Sequence, residues 1–374
     1  MNRYFATVAR ALEPIAAREL EQLGAQNVQP EFAGVSFEGD RALLYNVNLR
    51  SRLVFRVLVP IAQLQCSDAD QLYVQVRGID WTQYLQPENT LSVRCTGSNA
   101  QLNHTHFTAL QIKNAIVDRQ RDRFGRRSSV DLQSPDLALN AHIYRDRCTL
   151  SLDSTGESLH RRGYRPAMGV APLKETLAAA LLEMAQWDVN LPLLDPLCGS
   201  GTLPLEAGLK ALNIAPGLAR ERFAFENWLD FDAELWYELR AMAKDERRDE
   251  LPAFIGGSDR DPDILAQART NAKNCALDPY ISFSRAELSC VEAPSDRGIL
   301  ICNPPYGKRI GNSQELGSLY KQLGDTCKQR FKGWKAYILT GNKELAKRIG
   351  LKASRRIPVY NGTLPCTLLE YELY

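Results

Sequence analysis

The chain has 374 residues, more than a single hydrophobic core usually serves, so two or three domains are expected. Hydrophobic residues make up 44% and charged residues 24%, a soluble globular balance, and no apolar run approaches the roughly 20 residues that span a bilayer. The net charge of +2 does not by itself announce a nucleic-acid binder, and the opening Met1–Thr7 lacks the apolar core of a signal peptide, which points to the cytoplasm.

Taken in chain order, residues 1–65 read as a strand (Tyr4–Val8), a helix (Pro14–Leu23), a strand near Gly34–Glu38, a helix (Asp40–Leu49) and a strand near Val54–Ala62. This order suggests a small α+β, ferredoxin-like unit. Residues 66–155 carry a helix (Asp68–Arg77), a strand near Thr90–Cys95, a basic helix (Thr105–Arg123) and paired strands Ala138–Tyr144 and Arg147–Ser151. Within Lys113–Arg127, the six cations Lys113, Arg119, Arg121, Arg123, Arg126 and Arg127 outnumber two acids and suit a run of phosphates. The bland alternative is a solvated helix face that stops at Gly125. Residues 156–169 form a basic connector. Its His160-Arg161-Arg162-Gly163-Tyr164-Arg165 pairs guanidiniums with an aromatic, which fits RNA contact or an interdomain tether built on Arg–carboxylate pairs.

From residue 170 to 374, strands expected at Pro192–Leu197, Ala253–Ser258, Tyr280–Ser284, Gly298–Cys302 and Lys335–Thr340 alternate with helices. That alternation argues a doubly wound, mostly parallel sheet. A final pair near Leu351–Pro358 and Cys366–Glu370 reads as an antiparallel hairpin, and residues 213–250 form an insertion whose Trp228 and Trp236 suit core or interdomain packing.

Two motifs carry chemistry. Leu193–Thr202 runs from an apolar strand through Asp195-Pro196-Leu197-Cys198-Gly199-Ser200-Gly201 into a helix. Its glycines permit close backbone approach, and the helix start favours an anionic group. A dinucleotide fingerprint fails on spacing, because Pro204 stands where the third glycine belongs, and a P-loop lacks its Lys-Ser/Thr ending. Downstream, Asp259 ends the second strand, where an acid can grip ribose hydroxyls; Asp261 is the second candidate, or else the N-cap of a helix Asp263–Lys273. Glu287 follows the next strand as an acid for a base amine, or as an exposed loop charge.

The second motif is Asn303-Pro304-Pro305-Tyr306, placed after the apolar Gly298–Cys302. Two prolines stiffen the backbone and remove N–H donors, leaving carbonyls outward. The Asn303 side-chain oxygen and the Pro304 carbonyl can accept both hydrogens of one exocyclic amine, and Tyr306 offers a face for stacking the base. The chemistry that fits is methylation of a nucleobase amine, with a tight turn at a strand end as the plain alternative. The nine cysteines form no Cys-x-x-Cys, and His104-x-His106 has no cysteine pair beside it, so no zinc or other metal is expected. Cys366 follows a proline, as does the nucleophile of cytosine-5 methylation, but no activating partner is visible in the sequence.

These motifs, together with Leu159–Arg165, Ala171–Ala178, Thr340-Gly341-Asn342 and Tyr360-Asn361-Gly362, resemble those of THUMP-domain RNA methyltransferases. The likeness is to bacterial enzymes that methylate guanine N2 of 23S rRNA and to tRNA guanine-N2 enzymes. It implies a Rossmann-like class I methyltransferase domain with a seven-stranded sheet, a THUMP RNA-binding fold over residues 66–155, and RNA as partner, 23S rRNA or tRNA. It also implies S-adenosyl-L-methionine bound by Asp195, Pro196, Cys198, Gly199, Gly201, Thr202, Asp259, Asp261, Glu287 and Asn303, with catalysis at Asn303, Pro304 and Tyr306. Some ribosomal relatives carry a second, fused methyltransferase; an ending at Tyr374 resembles the single-enzyme form.

Overall fold

The computed structural model describes residues 1–165, 173–306 and 313–374. Part of the expected 156–169 connector, the Ala171-Pro172 pair and Gly307 lie outside the described residues. The first half contains β1 (Asn2–Thr7), α1 (Glu13–Gln22), β2 (Gln26–Glu31), β3 (Gly34–Gly39), α2 (Arg41–Arg50) and β4 (Arg56–Gln65). It continues with α3 (Ala69–Gly78), β5 (Thr90–Ser98), α4 (Thr105–Phe124), β6 (Ser129–Val130), β7 (Leu137–Tyr144) and β8 (Arg147–Asp153). Strand β2 was not expected: it is polar, half or fully exposed and interrupted by Pro30, so it shows no apolar alternation and lies at a sheet edge.

All eight strands form one sheet in the order β2-β3-β1-β4-β8-β7-β5-β6. Strand β4 is common to both expected units: Arg56–Leu58 pair with β1, while Leu58–Gln65 pair with β8. The register shifts between Pro60 and Ala62, where the proline has no N–H to give the ladder. Helices α3 and α4 cover one face of the β5–β7–β8 region, with Leu72, Val76, Ile112 and Ile116 packed on Leu91, Leu139 and Leu150. Helix α4 stops where Gly125 takes a left-handed conformation at φ 68°.

The second half contains α5 (Glu175–Met184), β9 (Leu193–Asp195), α6 (Thr202–Ala211), α7 (Ala233–Asp245), β10 (Ile255–Asp259), α8 (Pro262–Asn274) and β11 (Ser282–Arg285). After these come β12 (Ile299–Cys302), α9 (Ser313–Arg330), β13 (Lys335–Thr340), α10 (Lys343–Arg348), β14 (Arg355–Asn361) and β15 (Leu364–Glu372). Their seven-stranded sheet runs β11-β10-β9-β12-β13-β15-β14, parallel except for β15, which is antiparallel to both neighbours. This is the strand order of a class I methyltransferase domain, and the direction of winding reverses between β9 and β12.

The two halves share a core. Tyr45 of α2 stacks on Phe225 at 4.3 Å between centroids, and Trp236 of α7 meets Phe225 edge-on at 5.0 Å. Trp236 is therefore interdomain packing. The connector is bound just as firmly. Arg162 is 2% exposed and Glu206 of α6 fully buried; the guanidinium donates to both Glu206 oxygens, at 3.4 and 3.3 Å, to the Leu159 carbonyl at 2.8 Å and to the Arg52 carbonyl at 2.7 Å. Tyr164, also buried, donates its hydroxyl to Glu206 at 3.2 Å. Arg165 pairs with Glu175 at 3.5 Å and donates to the Leu173 carbonyl and the Thr202 hydroxyl.

The expectation that Arg162, Tyr164 and Arg165 contact RNA is thus corrected: all three point inward and tether the connector to helices α5 and α6. Of the expected basic run, Arg161 remains exposed, paired with Glu157 at 2.6 Å.

Removing one partner of a buried pair strands the other charge, so Glu206→Ala is expected to lose about 3–5 kcal/mol of stability in a urea titration. His160 is pushed down to about 4, first by burial and then by Lys174, Arg161 and Arg162. Its neutral ring contributes stability that is fully present above an unfolded value of about 6.5 and is lost as pH falls through 4. His160→Asn should flatten that acid limb in melting temperatures measured from pH 4 to 7.

Candidate active site

Parallel strands put their carboxyl ends on one edge, and ligands settle where the winding reverses. Here that place is the crevice between β9 and β12. Leu193 and Leu194 of β9 pair with Ile299 and Leu300 of β12 on one side and with Ile255 and Gly256 of β10 on the other. The glycine turn, Asp259 and Asn303 consequently emerge side by side on neighbouring strands, about 4.8 Å apart from strand to strand.

Asp195 closes β9, and the buried carboxylate accepts the Leu197 N–H at 3.0 Å. Burial holds its carboxyl well above the usual range, and the Asp259 charge adds to the effect. Gly199 and Gly201 both have positive φ, 53° and 85°. A Cβ on Gly201 would come within 2.9 Å of the Phe283 ring, so the turn is a fitted cradle. Cys198 is buried; a Cβ placed on Gly257 would come within 2.8 Å of its own Cβ, and burial pushes its thiol up. It is a small packing residue under the turn. Pro196 is buried in the same turn, and Thr202, first residue of α6, faces Arg165.

Asp259 ties the second strand to the turn. One carboxylate oxygen accepts the Gly199 N–H at 3.1 Å and the other accepts the Asp261 N–H at 3.1 Å. The two accepted bonds leave further lone pairs for hydroxyl donors. Asp261 itself caps α8, accepting from Asp263 N–H at 2.9 Å and Ile264 N–H at 3.4 Å, so of its two expected roles the structure assigns the cap. Glu287 is exposed; its neighbour Ala286 donates its N–H to the Asp259 carbonyl at 3.1 Å, which sets the acid beside that strand end.

At the tip of β12 the Asn303 side-chain oxygen is buried and accepts no hydrogen bond from any described residue. Buried polar atoms are nearly always paired, so an orphan acceptor in a crevice is a place for a donor. Pro304 behind it is buried. Tyr306 is held from the hairpin: Asn361 donates its amide to the phenol oxygen at 2.8 Å, and the Cys366 thiol donates at 3.6 Å. A Cβ on Gly341 would sit 3.0 Å from the Tyr306 ring, so that glycine lets the ring seat. Burial pushes the Tyr306 phenol up, so it stays a neutral, fixed surface. Cys366 faces this phenol, which is no base; an activated nucleophile there is not what the geometry offers.

Elsewhere, the expected phosphate run of α4 and the turn after it is paired in part. Arg123 pairs with Asp80 at 3.2 Å, Arg126 with Glu88, Arg121 with Asp118, and Lys113 with the Asn114 side chain, while Arg119 and Arg127 are exposed. Among the described residues no helix is long and apolar enough to cross a membrane, and no group of three or more His, Cys, Asp or Glu could hold a metal.

A doubly wound sheet with a glycine cradle and an orphan acceptor at its switch point defines a class I methyltransferase. Comparison with known families agrees. Residues 162–370 match the description "RMKL-like, methyltransferase domain", residues 66–153 a THUMP domain and residues 3–58 an RlmL ferredoxin-like domain. A putative RNA methyltransferase of Synechocystis is 60% identical over 371 residues, covering 99% of this chain and 97% of its own length. A ribosomal RNA large subunit methyltransferase K/L of Syntrophotalea carbinolica is 45% identical over 99% of this chain, but the match spans only 53% of that longer protein. A crystal structure of a putative methyltransferase complexed with SAH is 30% identical, covering 100% of this chain and 98% of its own, with a TM-score of 0.89. The chain belongs to the family of THUMP-containing, RMKL-like methyltransferases.

Gly201→Ala should be destabilising by about 1–3 kcal/mol, because its φ of 85° and the Phe283 contact both resist a side chain. Chemical denaturation of the variant against wild type measures this.

Proposed function

We propose that the protein transfers a methyl group from S-adenosyl-L-methionine to the exocyclic N2 amine of a guanine in RNA, with 23S rRNA as the substrate. The observation that carries this reading is the buried Asn303 oxygen at the tip of β12, which has no hydrogen-bond partner among the described residues and lies one strand away from the glycine cradle of β9. The SAH-bound relative and the ribosomal K/L relatives support the cofactor and the substrate class.

The cradle Asp195–Thr202, with Asp259 and Glu287 at the neighbouring strand ends, fits a nucleoside whose hydroxyls and base amine need acceptors. When bound there, S-adenosyl-L-methionine supplies an electrophilic methyl group. The chain's own residues do the rest. Asn303 and the Pro304 carbonyl accept the two N–H bonds of the target amine, whose lone pair is otherwise delocalised into the ring. Holding those hydrogens draws the nitrogen toward a tetrahedral shape and aims its lone pair at the cradle. The same two acceptors stabilise the positive charge that develops on nitrogen, a preorganised electrostatic contribution. The base, flipped from its stack or already unpaired, lies against Tyr306, which Asn361 and Gly341 keep in place. The methylated amine then releases a proton to water, so no strong base is needed.

Asn303→Ala is expected to lower kcat about 100–1,000-fold while S-adenosylhomocysteine still binds in calorimetry. A fully active variant would sink the assignment. Mass mapping of rRNA and tRNA from a deletion strain identifies the nucleotide; a missing mark on tRNA, or on an adenine N6, would reassign the substrate.

A further inference from the structure

Among the described residues, no helix covers the face of β5 turned away from α3 and α4. Along that strand Leu91, Val93 and Cys95 pack toward the helices, whereas Ser92, Arg94 and Thr96 open into a cleft of about 870 Å3. The opposite wall is the connector and the start of the 213–250 insertion, contributing Arg161, Arg222 and, at the start of α5, Lys174.

This wall is built rather than incidental. Buried Arg220 donates to the carbonyls of Glu157 at 2.6 Å, Arg161 at 3.0 Å and Ser158 at 3.2 Å, so one guanidinium shapes the connector along the cleft. Two of the lining cations are already neutralised, Arg56 by Asp153 and Arg161 by Glu157. Arg94, Arg222 and Lys174 are exposed and have no carboxylate partner among the described residues. The Lys174 ammonium lies 5.2 Å from the centroid of the Phe55 ring, which puts an aromatic surface among the charges.

We propose that this cleft carries the backbone of the RNA strand that leads to the target nucleotide, with Arg94, Lys174 and Arg222 on its phosphates. The proposal rests on the RNA-methyltransferase reading above and adds where the RNA lies. Position supports it. Four residues after Arg161, Arg165 bonds Thr202 beside the glycine turn, and a chain of four residues spans at most about 14 Å. The cleft and the cofactor crevice are therefore joined by one short tether, anchored through buried Arg162 and Tyr164. Charge supports it too: three cations with no carboxylate partner among the described residues and a polar sheet face suit a phosphodiester strand.

The test is binding of an unmodified 23S rRNA transcript by wild type and by the R94Q/R222Q double variant across a salt series. Both side chains are exposed, and retained S-adenosylhomocysteine binding in calorimetry reports an intact fold. The double variant should bind roughly tenfold or more weakly, with a salt slope smaller by about 0.7–0.9 for each phosphate it no longer neutralises. Unchanged affinity and slope, in a wild type that binds and methylates the transcript, would overturn the cleft alone and leave it to a protein partner. A wild type that neither binds nor methylates RNA would overturn the cleft and the underlying reading together.

Discussion

Strands β9 and β12 are far apart in the chain yet lie side by side, with Leu194 level with Leu300. Because both run the same way, whatever follows each must emerge on the same edge of the sheet. A glycine turn follows one and a proline-stiffened elbow follows the other. The proposed site needs both segments: the turn offers a glycine cradle, and the elbow offers a buried acceptor with no partner among the described residues. Burial of Leu193, Ile299, Leu300 and Ile301 holds the two strands in that register, so core packing and site geometry are the same fact.

Other contacts act through this seating. Asp259 reaches across from β10 to the Gly199 N–H, so the cradle is braced from the neighbouring strand. Asn361 reaches back from β14 to Tyr306, bracing the elbow from the far end of the sheet. The site is thereby held from both flanks, consistent with the need to keep acceptor and cradle in fixed relation. Arg162 and Glu206 do the same on a larger scale, bonding the connector and the Ser51–Arg52 backbone to the helix that follows the glycine turn.

Much of this was legible in the sequence because its signals are local. Apolar runs such as Gly298–Cys302 mark buried parallel strands, and Pro304-Pro305 and Gly199-x-Gly201 announce their backbone constraints directly. What was not legible depends on distant partners. Nothing in His160–Arg165 distinguishes a guanidinium facing phosphate from one facing Glu206, because the deciding carboxylate lies on α6. The basic run of α4 and the turn after it likewise looks wholly available until Asp80 is placed against Arg123 and Glu88 against Arg126, both from separate segments. Strand β2 lacks the apolar alternation that reveals strands, since an edge strand need bury little. The Asn361–Tyr306 bond joins positions on separate strands, and only the fold brings them together.

The shared strand β4 has a consequence for how the molecule can be divided. Asp153 to Arg147 of β8 are hydrogen-bonded along their length to Leu58–Gln65, which lie upstream of the matched THUMP residues 66–153. A fragment cut at that boundary loses its neighbour on one side and bares a long row of unpaired amides and carbonyls, a template for joining other chains edge to edge. Cut instead before β1, with the strand retained, the eight-stranded sheet keeps its interior closed. Strand pairing thus fuses the two sequence modules of the N-terminal half into one continuous sheet, so a boundary drawn between them in sequence has no counterpart in three dimensions.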